Sequence, residues 1–102
     1  MVFEFNGFEL KKLIVERMTF MFEELKNIIA TVLEDDSIRE TITLESDLIN
    51  EVGLDSLQMI SFILGVEDAF GVEIVYEDLD LACLRSIDAF MAFLNGMNKE
   101  VG

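Results

Sequence analysis

The 102-residue chain contains no histidine, no proline, no tryptophan and a single cysteine, Cys83. Without an imidazole, Ser-His-Asp and Cys-His catalysis are excluded, along with the commonest transition-metal ligand. One cysteine can close no internal disulfide and build no thiolate zinc cluster. Its neighbours Leu81, Ala82 and Leu84 mark Cys83 as an inert packed thiol. Bases are scarce as well: seven Lys and Arg face 21 Asp and Glu, a formal net charge of −14. Such a chain repels nucleic acid and anionic membrane surfaces and is drawn to basic protein patches. Long apolar runs are also missing. The mean hydropathy of +0.41 is high for a charged protein. Yet its apolar stretches, such as Met59–Val66 and Ala89–Leu94, fall far short of the ~20 residues of a spanning helix. The N-terminus does not read as a signal peptide, because Glu4 and Glu9 interrupt any apolar core and no base precedes it. These absences predict a cytoplasmic protein with neither nucleic acid nor membrane among its partners.

What is present suits one small domain, with 52% hydrophobic residues, enough for a compact core. Residues 1–17 stand apart. Their acids (Glu4, Glu9, Glu16) and bases (Lys11, Lys12, Arg17) cancel, so the whole net charge lies in 18–102. Met18 could serve as an internal start, with 1–17 an N-terminal extension of unknown role; its Phe3, Phe5, Phe8, Leu10, Leu13 and Ile14 suggest docking onto something. From Thr19, a plausible N-cap, to Glu34 the pattern is helical, with Met21, Phe22, Leu25, Ile28, Ile29, Val32 and Leu33 inside an arc of roughly 140°. Residues 35–54 form a long polar connection, pinned by Ile42, Leu44, Leu48, Ile49 and Val52; connections of this length are often functional. A second helix reads from Ser56 to Phe70 and stops at Gly71. A short helical turn fits Glu77–Ala82, Val72–Tyr76 is a short extended candidate, and a last helix from about Ile87 to Met97 follows Ser86 as N-cap.

The informative segment is Gly53-Leu54-Asp55-Ser56-Leu57-Gln58. Asp55 is a good N-cap and Gln58, three positions on, completes a capping-box arrangement. Ser56 takes the first helical position. Free N–H groups and partial positive charge at a helix start favour a phosphate, so a serine there is a sensible anchor for a phosphodiester. Serines at helix starts are mostly plain capping residues, however, and the position alone does not separate the two roles. The helix that follows carries a core face of Met59, Phe62, Ile63, Val66 and Phe70, and a second apolar stripe of Leu57, Ile60 and Leu64 flanked by Glu67 and Asp68. That stripe is either covered by another helix or is a docking surface, apolar for affinity and acid-rimmed for steering basic partners.

Leu54-Asp55-Ser56-Leu57, then the apolar helix through Glu67 and Phe70-Gly71-Val72-Glu73-Ile74, resembles the acyl and peptidyl carrier protein family. Leu84-Arg85-Ser86-Ile87-Asp88-Ala89 is similar to the start of that family's last helix. The likeness spans roughly Phe20 to Asn95. It implies an all-α fold, a four-helix bundle of three long helices and one short, with a carrier domain over 18–99 and a tail at 100–102. It further implies that Ser56 receives 4′-phosphopantetheine from coenzyme A through a magnesium-dependent phosphopantetheinyl transferase, with Asp55 assisting. Leu57, Ile60, Leu64, Glu67 and Asp68 match positions that the family uses to contact partner enzymes. The chain itself would be a non-catalytic monomer without a resident metal. It would hold acyl intermediates of fatty-acid, lipid or polyketide-type biosynthesis as thioesters for loading and processing enzymes.

Two departures stand out: Ser61, five after the serine, where fatty-acid carriers often have an acid, and Val75 in place of a frequent proline. With the 1–17 extension they favour a specialised carrier of a dedicated pathway. An aminoacyl or peptidyl carrier is one alternative; an acidic helical interaction module without a prosthetic group is another. A Gly-Asp-Ser-Leu type esterase is excluded by the missing histidine. The acid clusters at 34–36 and 77–80 lack the alternating ligands and central glycine of a calcium loop. The six methionines and nine phenylalanines are mostly core residues, though a Met-rich core could part to admit an acyl chain.

Overall fold

The amphipathic pattern over 19–34 is the C-terminal half of a longer helix. The computed structural model describes residues 7–98, and in it α1 runs unbroken over Gly7–Leu33, 27 residues, or about 40 Å at 1.5 Å per residue. Thr19 is therefore mid-helix and caps nothing. The reason is local: after Gly7, this stretch holds no helix breaker, and Leu, Lys, Glu, Arg and Met propagate a helix readily. The difference between the two halves is one of burial. Residues 11–20 are all exposed, whereas Leu25, Ile29 and Ala30 are buried. Leu13, Ile14, Val15 and Phe20 remain open to solvent on the projecting half. The expected docking of Phe3 and Phe5 lies outside the described residues, as does the 100–102 tail.

α1 ends in a Schellman-type turn. The Asp35 N–H reaches back to the Ala30 carbonyl at 3.0 Å and the Glu34 N–H to that of Thr31 at 3.2 Å. Glu34 adopts φ +54° to make this turn, the left-handed region that glycine tolerates best. The connection that follows contains α2, Ile38–Thr41, where the polar sequence predicts only loop. α3 covers Ser56–Phe70 and stops at Gly71 with φ +65°, its N–H on the Glu67 carbonyl. In place of one helical turn at 77–82 there are two 3₁₀ turns, Tyr76–Asp78 and Leu81–Leu84. Val72–Tyr76 forms no strand. α4, Ile87–Asn98, starts where expected: the Ser86 hydroxyl accepts the Ala89 N–H at 2.9 Å. The result is a helical bundle of three long helices and one short.

The core is built where α1, α3 and α4 meet. Leu25 and Ile29 of α1, Phe62, Ile63 and Val66 of α3, and Ile87, Phe90, Met91 and Leu94 of α4 are all buried, with Leu48 and Leu54 from the connection. Phe62 and Phe90 set their ring centroids 5.2 Å apart, tilted by 48°. Each such side chain contributes on the order of 1.5–3 kcal/mol by leaving water. α1 and α3 touch at Gly65, where an added Cβ would sit 2.8 Å from Ile28 Cγ2. Relieving the left-handed conformation of Glu34 should stabilise the bundle: Glu34→Gly is expected to raise unfolding free energy by about 1 kcal/mol, measurable by urea denaturation. A loss of stability would show that the turn is not strained.

Candidate functional site

The site begins with the long connection, which is stitched to the start of α4. The Leu48 N–H donates to the Leu84 carbonyl (3.1 Å), the Ile87 N–H to Ser46 (3.1 Å) and the Asp88 N–H to Leu44 (2.9 Å). Within it, buried Ser46 accepts the Thr43 N–H at 2.9 Å. Asp47 folds the next turn. Its Oδ1 accepts the N–H groups of Ile49 and Asn50, both at 2.9 Å, and its Oδ2 the Asn50 side chain at 3.0 Å. The Glu51 and Val52 N–H groups close on its carbonyl. Gly53 then takes φ +81°, and buried Leu54 ties back to Leu48 by an N–H···O bond of 3.1 Å. Reading the sequence for helix starts alone misses this turn, although Asp-x-x-Asn is an Asx-turn signal that could reveal it.

Asp55, extended at φ −81°, ψ −177°, is the N-cap of α3. Its Oδ1 accepts the Gln58 N–H at 2.8 Å, and Gln58 Oε1 accepts the Asp55 N–H at 3.1 Å. The expected capping box is complete. Ser56 sits at the first helical position, exposed, its hydroxyl in no hydrogen bond among the described residues. With the Gln58 N–H taken by Asp55, the first-turn N–H groups of Ser56 and Leu57 remain to face an anion.

Beside it the second apolar stripe lies open: Leu57 is 77% exposed, Ile60 45% and Leu64 56%. No helix among the described residues covers it. Asp68 is exposed next to the stripe. Glu67, grouped with it by sequence, also serves the fold. Its half-buried carboxylate accepts the Ile74 N–H at 2.7 Å and holds the chain leaving α3. On the opposite flank of the stripe a cleft of about 690 Å³ separates α3 from α1, lined by Gln58, Ser61, Gly65 and Asp68 on one wall and by Asn27 and Thr31 on the other. The cleft has no clear sequence signal, since it depends on how two helices are set side by side.

Among the described residues, two titrating groups depart from their ordinary values. The Asn50 backbone N–H, then its side chain, hold the Asp47 carboxyl below its ordinary value against some desolvation, with the Ile49 N–H and Arg85 charge adding. Burial pushes the Cys83 thiol up, in keeping with an inert thiol. No cluster of three or more metal-ligating residues occurs among the described residues, and none of their helices is long and apolar enough to cross a membrane.

A family model described as the phosphopantetheine attachment site matches residues 23–94. The chain belongs to that family. Its relatives include an acyl carrier protein of Coprothermobacter proteolyticus, 44% identical over 58% of this chain and 70% of that one. An acyl carrier protein AcpXL of Brucella melitensis is 38% identical over 59% of this chain, a match that spans only 62% of the relative. An acyl carrier protein of Campylobacter hominis is 29% identical over 78% of this chain and 96% of its own. The covalent cofactor of the family, and of this chain, is 4′-phosphopantetheine. The residues fit it: an unbonded exposed hydroxyl at a helix start, with free amides beside it, is a suitable phosphodiester anchor.

The Asp47 turn that leads into this helix start should register in acid. A carboxyl with a depressed folded-state pKa stabilises the fold above its unfolded value, and that contribution disappears as pH falls through the folded value. Thermal melts are expected to lose stability below about pH 4, with a shallower dependence in Asp47→Asn; an unchanged acid limb would separate Asp47 from the effect.

Proposed function

We propose that Ser56 is the attachment residue and that the chain presents acyl intermediates to the enzymes of a fatty-acid, lipid or polyketide-type pathway in the cytoplasm. The observation that carries this reading is the exposed, unbonded Ser56 hydroxyl at a rigidly capped helix start, next to an open apolar stripe. When bound, the phosphopantetheine arm supplies a terminal thiol for a thioester to the cargo. The chain's own residues do the rest. Asp55 and Gln58 fix the helix start, so that the Ser56 hydroxyl meets a phosphopantetheinyl transferase in one orientation. The cap takes Asp55 Oδ1 and so orients Ser56; Oδ2 makes no hydrogen bond among the described residues and is open to assist the transfer. A flexible arm raises the effective concentration of its cargo at each partner site. Leu57, Ile60 and Leu64 offer the apolar contact, with Asp68 and the outer edge of Glu67 as an acidic rim that steers basic partner surfaces. The names of the relatives favour an acyl cargo over an aminoacyl one. Dedicated partners are favoured by Ser61 and by the extended α1.

Intact-mass analysis after incubation with coenzyme A and a broad-specificity transferase is expected to show one added phosphopantetheine, absent in Ser56→Ala. An unmodified wild-type chain would refute the reading. Leu57→Asp or Ile60→Asp should reduce partner turnover roughly tenfold while moving stability by no more than about 0.5 kcal/mol, as for surface sites. A large loss of melting temperature would place the stripe in the core.

A further inference from the structure

Beyond the bundle, α1 carries large apolar side chains with nothing seated on them among the described residues. Leu13, Ile14, Val15 and Phe20 are 44 to 63% exposed. At ~100° per residue, they and Met18 fill an arc of about 220°, twice the width of a one-sided core stripe. Such an arc suits contact on two sides. A short helical stretch without tertiary packing is marginal in water, and open apolar faces of this kind mark interaction sites. The face also has a root. Leu13, Ile14, Met18 and Met21 line an open cleft of about 1030 Å³ with Phe70 and Asn95, at the ends of α3 and α4.

Charge selects what can lie there. The whole net charge of −14 belongs to residues 18–102, and 1–17 balance to zero. Two copies therefore repel through their bundles and not through their projecting halves. An antiparallel pairing over Gly7–Met21 shares about 21 Å of helix and leaves the acidic bundles at opposite ends. That distance is more than twice the ~8 Å Debye length at physiological salt. If the tip of one helix reaches the cleft of the other, Gly7 comes level with Met21 and the two-fold axis passes Ile14. In that register Glu16 is level with Lys12 of the second copy, and both lie on the same flank of the helix. Within one copy neither makes an ion pair among the described residues. The contact is self-complementary, as a two-fold interface requires.

We infer that the projecting half of α1 is a homodimer interface, in which two copies pair antiparallel and each helix enters the other's cleft. Each helix then has two neighbours, the partner helix and the partner bundle, which accounts for the wide apolar arc. This pairing departs from the monomer that the family resemblance implies. Phe70, in the cleft, and Ser56 are the two ends of α3, about 21 Å apart. Pairing thus leaves both serines and both Leu57–Ile60–Leu64 stripes free for visiting enzymes. The interface does not depend on the role of Ser56.

Sedimentation equilibrium of the full chain tests it. A contact of this length is at the small end of specific interfaces, so the association belongs in a range of about 1–200 µM. The mass is expected to rise from 11.6 kDa to twice that value and to stop there, because a two-fold contact closes. Ile14→Glu places two like charges on the axis and should hold the mass at 11.6 kDa with unchanged helix content by circular dichroism. Lys12→Glu and Glu16→Lys should each weaken pairing about fivefold, and the double variant should restore it. Glu16→Lys is the sharper of the two. It removes two units from the net charge of −14, so overall repulsion alone would make it pair more tightly. A chain that stays at the single mass throughout would overturn the dimer and leave the face to another protein. A mass that climbs past twice the single value, tighter pairing by Glu16→Lys, or a double variant as weak as the single ones would overturn it equally.

Discussion

The geometry of the site depends on three backbone hydrogen bonds that join the connection at Leu44, Ser46 and Leu48 to the α4 start at Leu84, Ile87 and Asp88. A connection this long would otherwise carry its ordering cost, about 1–2 kcal/mol per residue of backbone entropy, without fixing where it ends. Pinned there, with Leu48 wholly buried beneath, the chain can make the Asp47 turn and arrive at Asp55 from one direction. The capping box then sets the register of α3, and with it which side chain is first on the helix. That register puts Ser56 at the first position of α3, away from the buried face of Phe62, Ile63 and Val66, and leaves it exposed.

Electrostatics divides the molecule in a complementary way. α3 holds no base, and Glu67 and Asp68 sit near its end. Lys26 is occupied by Glu23 at 3.1 Å and by the Phe22 ring at 4.6 Å, and Arg39 by Asn27. These positive charges are thus spent on α1 and α2, leaving the acids at the end of α3 with no base on that helix to offset them. Steering of this kind raises encounter rates without demanding tight binding.

Much of this was legible in the sequence, and the reasons differ by element. α3 and its capped start could be read because local rules fix them: Asp55 and Gln58 cap it, Gly71 ends it, and two apolar stripes of 3.6-residue period run along it. The start of α1 could not, because nothing local distinguishes a helix that projects past the bundle from one that begins at its edge; Thr19 looks like a cap in either case. The turn expected at 77–82 split into two because Asp80 caps the second 3₁₀ turn, its Oδ1 on the Cys83 N–H. Glu67 illustrates a different limit. Its place beside the stripe is readable from periodicity, but the pull of the Ile74 N–H on its carboxylate is a contact seven residues away that no helical wheel contains.

An open stripe of three large apolar side chains costs a free bundle something, since water meets surface that could have been core. In the proposed carrier role that cost has a physical use. A protein that must visit several enzymes in turn needs each complex to dissociate quickly, and affinity differences among related complexes lie mainly in the dissociation rate. Three apolar contacts with an acidic edge make a small interface, of the size associated with transient encounters. Burying the stripe under another helix would stabilise the fold and remove the contact; enlarging it would hold each partner too long. The capped, pinned frame beneath supplies the rigidity that such a small contact requires, because a surface this limited cannot also meet the cost of ordering the residues that present it.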